Sequence, residues 1–165
     1  MSSQATRKYW YARCREASYI GILGSVAWTV ALVLPFRPFD ELPPVMAGGG
    51  PGEWLVIGYL LYVILGVGAF GWLSGLLHVI EMEEGRTISQ SLMWPGFLML
   101  LLGTTVSCVS LGCAGASGGY ASLNGGTSSL HQMLAPYLYP LSATTIVAAA
   151  GAFMVLLAMV RARGT

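Results

Sequence analysis

Apolar residues run almost unbroken over four stretches of the 165-residue chain, 19–36, 54–80, 92–113 and 138–160, with polar residues gathered between them. Each stretch comes near the ~20 residues an α-helix needs to cross a hydrocarbon layer of ~30 Å. Lipid offers backbone N–H and C=O groups no partner, so a helix, which satisfies them internally, is the element each stretch predicts. The expected fold class is all-α: an integral membrane four-helix bundle in a single domain. The first stretch ends Pro35-Phe36-Arg37-Pro38-Phe39 without a small-residue cleavage site, so it is expected to remain as a first span and not to be removed as a signal.

Composition strengthens that picture. Only 9% of residues are charged and 55% are hydrophobic, against roughly 25% charged in a soluble domain. Such a surface in water would aggregate. The net charge is +1 with no basic stripe, which argues against nucleic acid as a partner, because duplex binding needs clustered cations. The expected partners are the bilayer and either other membrane subunits or further copies of this chain.

Charge also orients the helices. Arg7, Lys8, Arg13 and Arg15 precede the first, Arg86 lies between the second and third, and Arg161 and Arg163 follow the fourth, which makes seven of the eight basic residues; Arg37 is the eighth. Positive residues stay on the cytoplasmic side, so both termini are expected there, in a plasma membrane. Trp10, Tyr11, Trp54, Trp94, Tyr137 and Tyr139 fall near the proposed boundaries and suit an interfacial aromatic belt.

The loops follow by difference. The segment 37–51 carries Pro38, Pro43, Pro44, Gly48-Gly49-Gly50 and Pro51 and is expected to be irregular. The segment 81–91 is short and acidic. The segment 114–136, rich in Gly, Ser and Ala, is expected to be a long outer loop, able to fold back on the bundle. Pro95 and Pro140 are placed in the first turns of the third and fourth helices, where a missing N–H costs little.

Between helices in lipid, close packing through small residues replaces the hydrophobic effect. Gly71-x-x-x-Gly75 on the second helix is such a pair; Gly103 on the third and Gly151 on the fourth are further contact points. Hydroxyls on the third helix can bond to their own backbone or cross to a neighbour. Cys14, Cys108 and Cys113 make an odd set. Residues five apart on a helix point about 140° apart, so a Cys108–Cys113 disulfide would need the helix to end between them.

Few polar groups could carry chemistry. His78 lies seven residues after Gly71 and three after Gly75, so it shares their face and is expected to point into the bundle near the cytoplasmic end. An intramembrane ionisable group is a functional candidate: a ligand for haem b or a metal, a quinone partner, or a relay with Glu81 and Glu84. The plainer reading is an interfacial histidine bonded to a carbonyl or to Glu81. Glu81, Glu83, Glu84 and Arg86 also suit a solvated helix end, and Glu53 suits a helix N-terminus. His131 is expected on the opposite side, ~30 Å away, too far for both histidines to ligate one haem at ~2 Å. No catalytic motif is present, so an enzyme is not expected.

Helix 2 reads Val56-Ile57-Gly58-Tyr59 and then Val63 through Phe70, Val-Ile-Leu-Gly-Val-Gly-Ala-Phe. This resembles a helix of small four-helix membrane proteins related to subunit I of haem-copper oxidases. The stretch from Gly85-Arg86 to Ser91, with Trp94 and Gly96-Phe97, resembles the following loop and helix of that family. Where the family has its ligand histidines, this chain has Pro51, Gly52 and Glu53, and Gly71 follows Phe70. No haem ligand carries over, and the resemblance implies a respiratory-type scaffold without its metal centre.

The leading expectation is therefore a non-catalytic accessory or scaffold subunit of a larger, respiratory membrane complex. The alternatives are electron transfer with haem b or quinone held at His78, and a small transporter or proton channel using His78 and the inner glutamates.

Overall fold

A computed structural model describes residues 9–125 and 130–164, apart from the side chains of residues 130, 131, 163 and 164. Arg7 and Lys8, and the side chains of His131 and Arg163, lie outside this description. The described chain is all-α apart from two two-residue strands. Helix α1 is Trp10–Val33, α2 is Leu42–Ala47, α3 is Gly50–Glu83, α4 is Gln90–Leu123 and α5 is Leu130–Val160. Strands β1, Arg86–Thr87, and β2, Arg163–Gly164, pair antiparallel. Among the described residues four helices, α1, α3, α4 and α5, are long and apolar enough to cross a membrane.

The helices pack in chain order, α1 on α3, α3 on α4, and α4 on α5, without an extended α1–α5 seam. Small residues line the helix seams, and many large apolar side chains are exposed. Leu23, Trp72, Ile146 and Tyr139 are 69% exposed or more, with Leu23 at 71% and Tyr139 at 81%. This inverts the pattern of a water-soluble bundle.

Each seam is built where a glycine admits a neighbouring backbone. The buried face of α1 is Trp10, Cys14, Ala17 and Gly21, the i, i+4, i+7 spacing of a helical stripe. Gly21 meets the carbonyl of Gly66 on α3. A Cβ on Gly58 of α3 would stand 2.8 Å from the Cys108 carbonyl and the Gly112 nitrogen of α4. A Cβ on Gly103 of α4 would stand 2.6 Å from the Ala148 nitrogen of α5, and Gly151 of α5 meets the backbone of Leu100 and Gly96. Hydroxyls cross the same seams: Ser18 Oγ donates to the Val67 carbonyl at 2.9 Å and Ser107 Oγ to Thr144 Oγ1 at 2.8 Å.

The larger apolar side chains gather at the end that carries both termini. Trp10, Phe70, Leu77, Ile88, Met93, Phe97, Val155 and Ala162 share one buried cluster there. The β1–β2 pair ties the turn after α3 to the segment after α5 at the same end. Trp10 is thus a core residue at 6% exposure, not a member of an interfacial belt, whereas Trp54, Trp94 and Tyr139 do lie on the surface.

Several boundaries differ from the sequence expectation. Helix α1 starts at Trp10, nine residues before the apolar stretch, because Trp10, Cys14 and Ala17 already bury a face and the charged residues turn outward. The segment 37–51 contains α2 and short 3₁₀ turns at Phe39–Glu41 and Gly50–Gly52. Pro43, Pro44 and Pro51 stand in first turns, where no N–H bond is lost. Of the expected long loop 114–136, residues 114–123 continue α4 and residues 130–136 begin α5. Gly115, Gly118 and Gly119 continue α4 because each faces Leu55, Pro51 or Val45 too closely for a side chain; packing outweighs their cost of about 1 kcal/mol per glycine in a helix. Pro95, Pro136 and Pro140 all lie inside helices, which membrane helices tolerate when neighbouring groups satisfy the freed carbonyls. Within α3, π-helical turns cover Tyr62–Ala69 and Val79–Glu83.

Candidate functional site

Tyr11, in the first turn of α1, is the point where the polar groups of the termini-bearing end converge. The first N–H groups of a helix have no partner inside it. Here the Glu81 carboxylate, at the end of α3, accepts from the Trp10 N–H at 3.2 Å and the Tyr11 N–H at 3.1 Å. A carboxylate at that position also complements the positive end of the helix dipole. Ser74 Oγ donates to the Tyr11 carbonyl at 2.8 Å, and the His78 ring meets the Tyr11 ring edge-on, centroids 4.9 Å apart. Ser74, His78 and Glu81 follow one another at four and three residues along α3, so one face of α3 grips one turn of α1.

The candidate residues are therefore distributed as follows. His78 is exposed and looks out of the bundle, not into it. Its face carries Gly71, whose nearest neighbour is Ser18 Oγ at 3.4 Å from a notional Cβ, and Gly75, which has nothing within 4 Å. The shared face read from the spacing exists, but the interior stripe of α3 is Phe70, Leu73 and Leu77, roughly opposite. Gly103 and Gly151 face each other's helices across the α4–α5 seam. His78 and Glu81 meet at Tyr11, while Glu84 pairs with Arg86 at 3.3 Å, both about half exposed. Glu81 thus serves as a helix cap from 70 residues away. The backbone of His131 lies in the first turn of α5, at the end of the bundle away from His78. Among the described residues no group of three or more His, Cys, Asp or Glu side chains is disposed to hold a metal ion. Cys14, Cys108 and Cys113 are free, and α4 runs unbroken past both of its cysteines.

One concave feature adjoins this junction. A cleft of about 390 Å³ is lined by Trp10 and Arg13 of α1 and by Gln90, Ser91 and Trp94 at the start of α4. The Arg13 guanidinium carbon lies 4.9 Å from the Trp10 ring centroid and 4.8 Å from that of Trp94. The two indoles are themselves in contact, 5.8 Å apart. Arg13 and Trp94 were read from the sequence only as topology and belt residues. The available signal was Arg13 one turn after Trp10, and nothing in the sequence brings Trp94 to meet them.

No family model, curated protein or solved structure matches this chain.

Proposed function

We propose that the chain is an integral protein of the plasma membrane, with both termini cytoplasmic, acting as a non-catalytic accessory or scaffold subunit of a larger membrane complex. The observation that carries this is the Gly71–Gly75 face of α3. It has the small-xxx-small spacing that lets helices approach in lipid, yet among the described residues Gly75 has no neighbour within 4 Å and Gly71 meets only Ser18. The other glycine faces are filled by the chain's own helices. An unfilled one is a seat for a helix of another subunit. The distribution of basic residues supports the orientation, and the resemblance of α3 to the oxidase-related proteins makes a respiratory complex the first to examine.

Purification from native membranes in mild detergent tests this reading. A partner should co-purify with the wild-type chain and be lost on Gly75→Leu, which leaves the internal seams untouched. Recovery of a lone monomer would overturn it. A second reading, electron transfer through haem b or quinone held at His78 between two copies, is favoured by the outward exposure of His78 beside Gly75. Its haem form requires a Soret band that disappears on His78→Ala.

A further inference from the structure

The cleft between α1 and α4 has the chemistry of an anion site. Among the described residues its lining contains one cation, Arg13, two neutral donors, Gln90 and Ser91, two indoles, and no carboxylate. The Arg13 guanidinium carbon stands over both indole rings, 4.9 Å from the Trp10 centroid and 4.8 Å from that of Trp94, and the two centroids are only 5.8 Å apart, so both rings lie to one side of it. A guanidinium presents its N–H donors in a planar fork that matches two oxygens of one acceptor, and the side away from the indoles opens to the cleft. Two aromatic faces also fix the side chain, which lowers the entropy lost when it binds. Opposite, the cleft is bounded by the first turn of α4, whose leading N–H groups carry the positive end of a 34-residue helix. The nearby carboxylate of Glu81 is turned to the Trp10 and Tyr11 N–H groups.

Size and position narrow the ligand. A volume of about 390 Å³ is in the ~300–1,000 Å³ range of small-molecule sites, ample for a phosphate with its glyceryl ester. Trp94 is 45% and Leu98 36% exposed on the outer surface beside the cleft, so an acyl chain could run down α4 from a headgroup held at Arg13. We infer that this cleft binds a phosphate group, and that its source is the headgroup of an anionic phospholipid. The lipid source rests on the membrane reading; the phosphate chemistry does not.

The test uses the full chain in mild detergent, with lipid retention read by native mass spectrometry and soluble ligand by thermal shift. Dioleoylphosphatidylglycerol should be retained over dioleoylphosphatidylcholine by the wild type and by Arg15→Gln, whose arginine is exposed elsewhere on α1. Retention should fall about tenfold in Arg13→Gln, as expected for loss of a charge-assisted fork, with partial recovery in Arg13→Lys. A shift with glycerol 3-phosphate that depends on Arg13, without lipid retention, would keep the phosphate site and overturn the lipid source. Absence of any binding that depends on Arg13 would overturn the whole inference. Should Arg13→Gln melt early, the Gln90→Ala, Ser91→Ala double variant replaces it, and undiminished binding there overturns the site equally. Recovery of the protein in the aqueous fraction without detergent would remove the membrane reading while leaving the glycerol 3-phosphate arm readable.

Discussion

Gly103→Ala is the most direct probe of how the bundle is held together. The added Cβ would stand 2.6 Å from the Ala148 nitrogen, 2.8 Å from its Cα and 2.9 Å from its Cβ, whereas ordinary contact begins at 3.4 Å. The obstacle is largely backbone, so no side chain can swing away, and α4 and α5 must part by about 0.8 Å. Ser107 is one turn further along α4 and Thr144 one turn back along the antiparallel α5. The same movement stretches their hydrogen bond from 2.8 Å to about 3.6 Å, beyond bonding distance. Overpacking costs about 1–3 kcal/mol and the lost interhelical bond about 0.6 kcal/mol. Against this, alanine gains up to about 1 kcal/mol of helix propensity over glycine. With the full propensity gain subtracted, the net expectation is a loss of about 0.6–2.6 kcal/mol. Gly75→Ala makes the matched control, since nothing lies within 4 Å of its Cβ, and it should be neutral or up to about 1 kcal/mol more stable. Reversible unfolding in mixed micelles by added sodium dodecyl sulfate, followed by tryptophan fluorescence, measures both. Equal stability of the two variants would refute the claim that backbone approach at Gly103 holds α4 to α5.

Three further outcomes are expected. Glu81→Ala should destabilise the first turn of α1 by about 0.5–2 kcal/mol, the usual worth of a cap, seen as faster hydrogen exchange at Trp10 and Tyr11; unchanged exchange would mean that water replaces the carboxylate at no cost. A maleimide should label Cys113, which is exposed, in the folded protein and spare the buried Cys14 and Cys108, and mild oxidation should leave the monomer without an internal disulfide. Protease added to intact cells should leave the N-terminus uncut, and cleavage there would reverse the proposed orientation.

How much could be read from the sequence depends on which interaction decides each feature. Four apolar stretches of about the length that spans a bilayer admit few structures besides helices, and four helices long and apolar enough to cross one appear among the described residues. Their ends were harder, because hydropathy marks where a chain is greasy and not where it is helical. Helix α1 continues to Trp10 through Arg13, Arg15 and Glu16, and α4 continues to Leu123 through Gly115, Gly118 and Gly119. Glycine there is not a turn signal. It is the one residue that fits where Leu55 of α3 or Val45 of α2 presses on α4, and which helix faces which is a three-dimensional fact that spacing along one helix does not contain.

The same limit explains the polar residues. Spacing correctly put Gly71, Gly75 and His78 on one face of α3, but a face has no sign until its neighbours are known. Phe70, Leu73 and Leu77 bury the other side, which turns His78 outward and leaves it against the edge of Tyr11. Glu81 looked like one charge in a solvated run; its role exists only because α1 begins beside the end of α3, which brings two unpaired N–H groups to 3.2 and 3.1 Å from its oxygens. A proton relay through His78 and Glu81 would weaken the bonds from those N–H groups each time Glu81 takes a proton, since a protonated carboxyl is the weaker acceptor. Transport through this pair would therefore loosen the first turn of α1 in every cycle, and with it the Trp10 and Arg13 side chains that line the cleft. A structural clamp requires no such movement, and it is the role in which all three contacts on Tyr11, from Ser74, His78 and Glu81, act together.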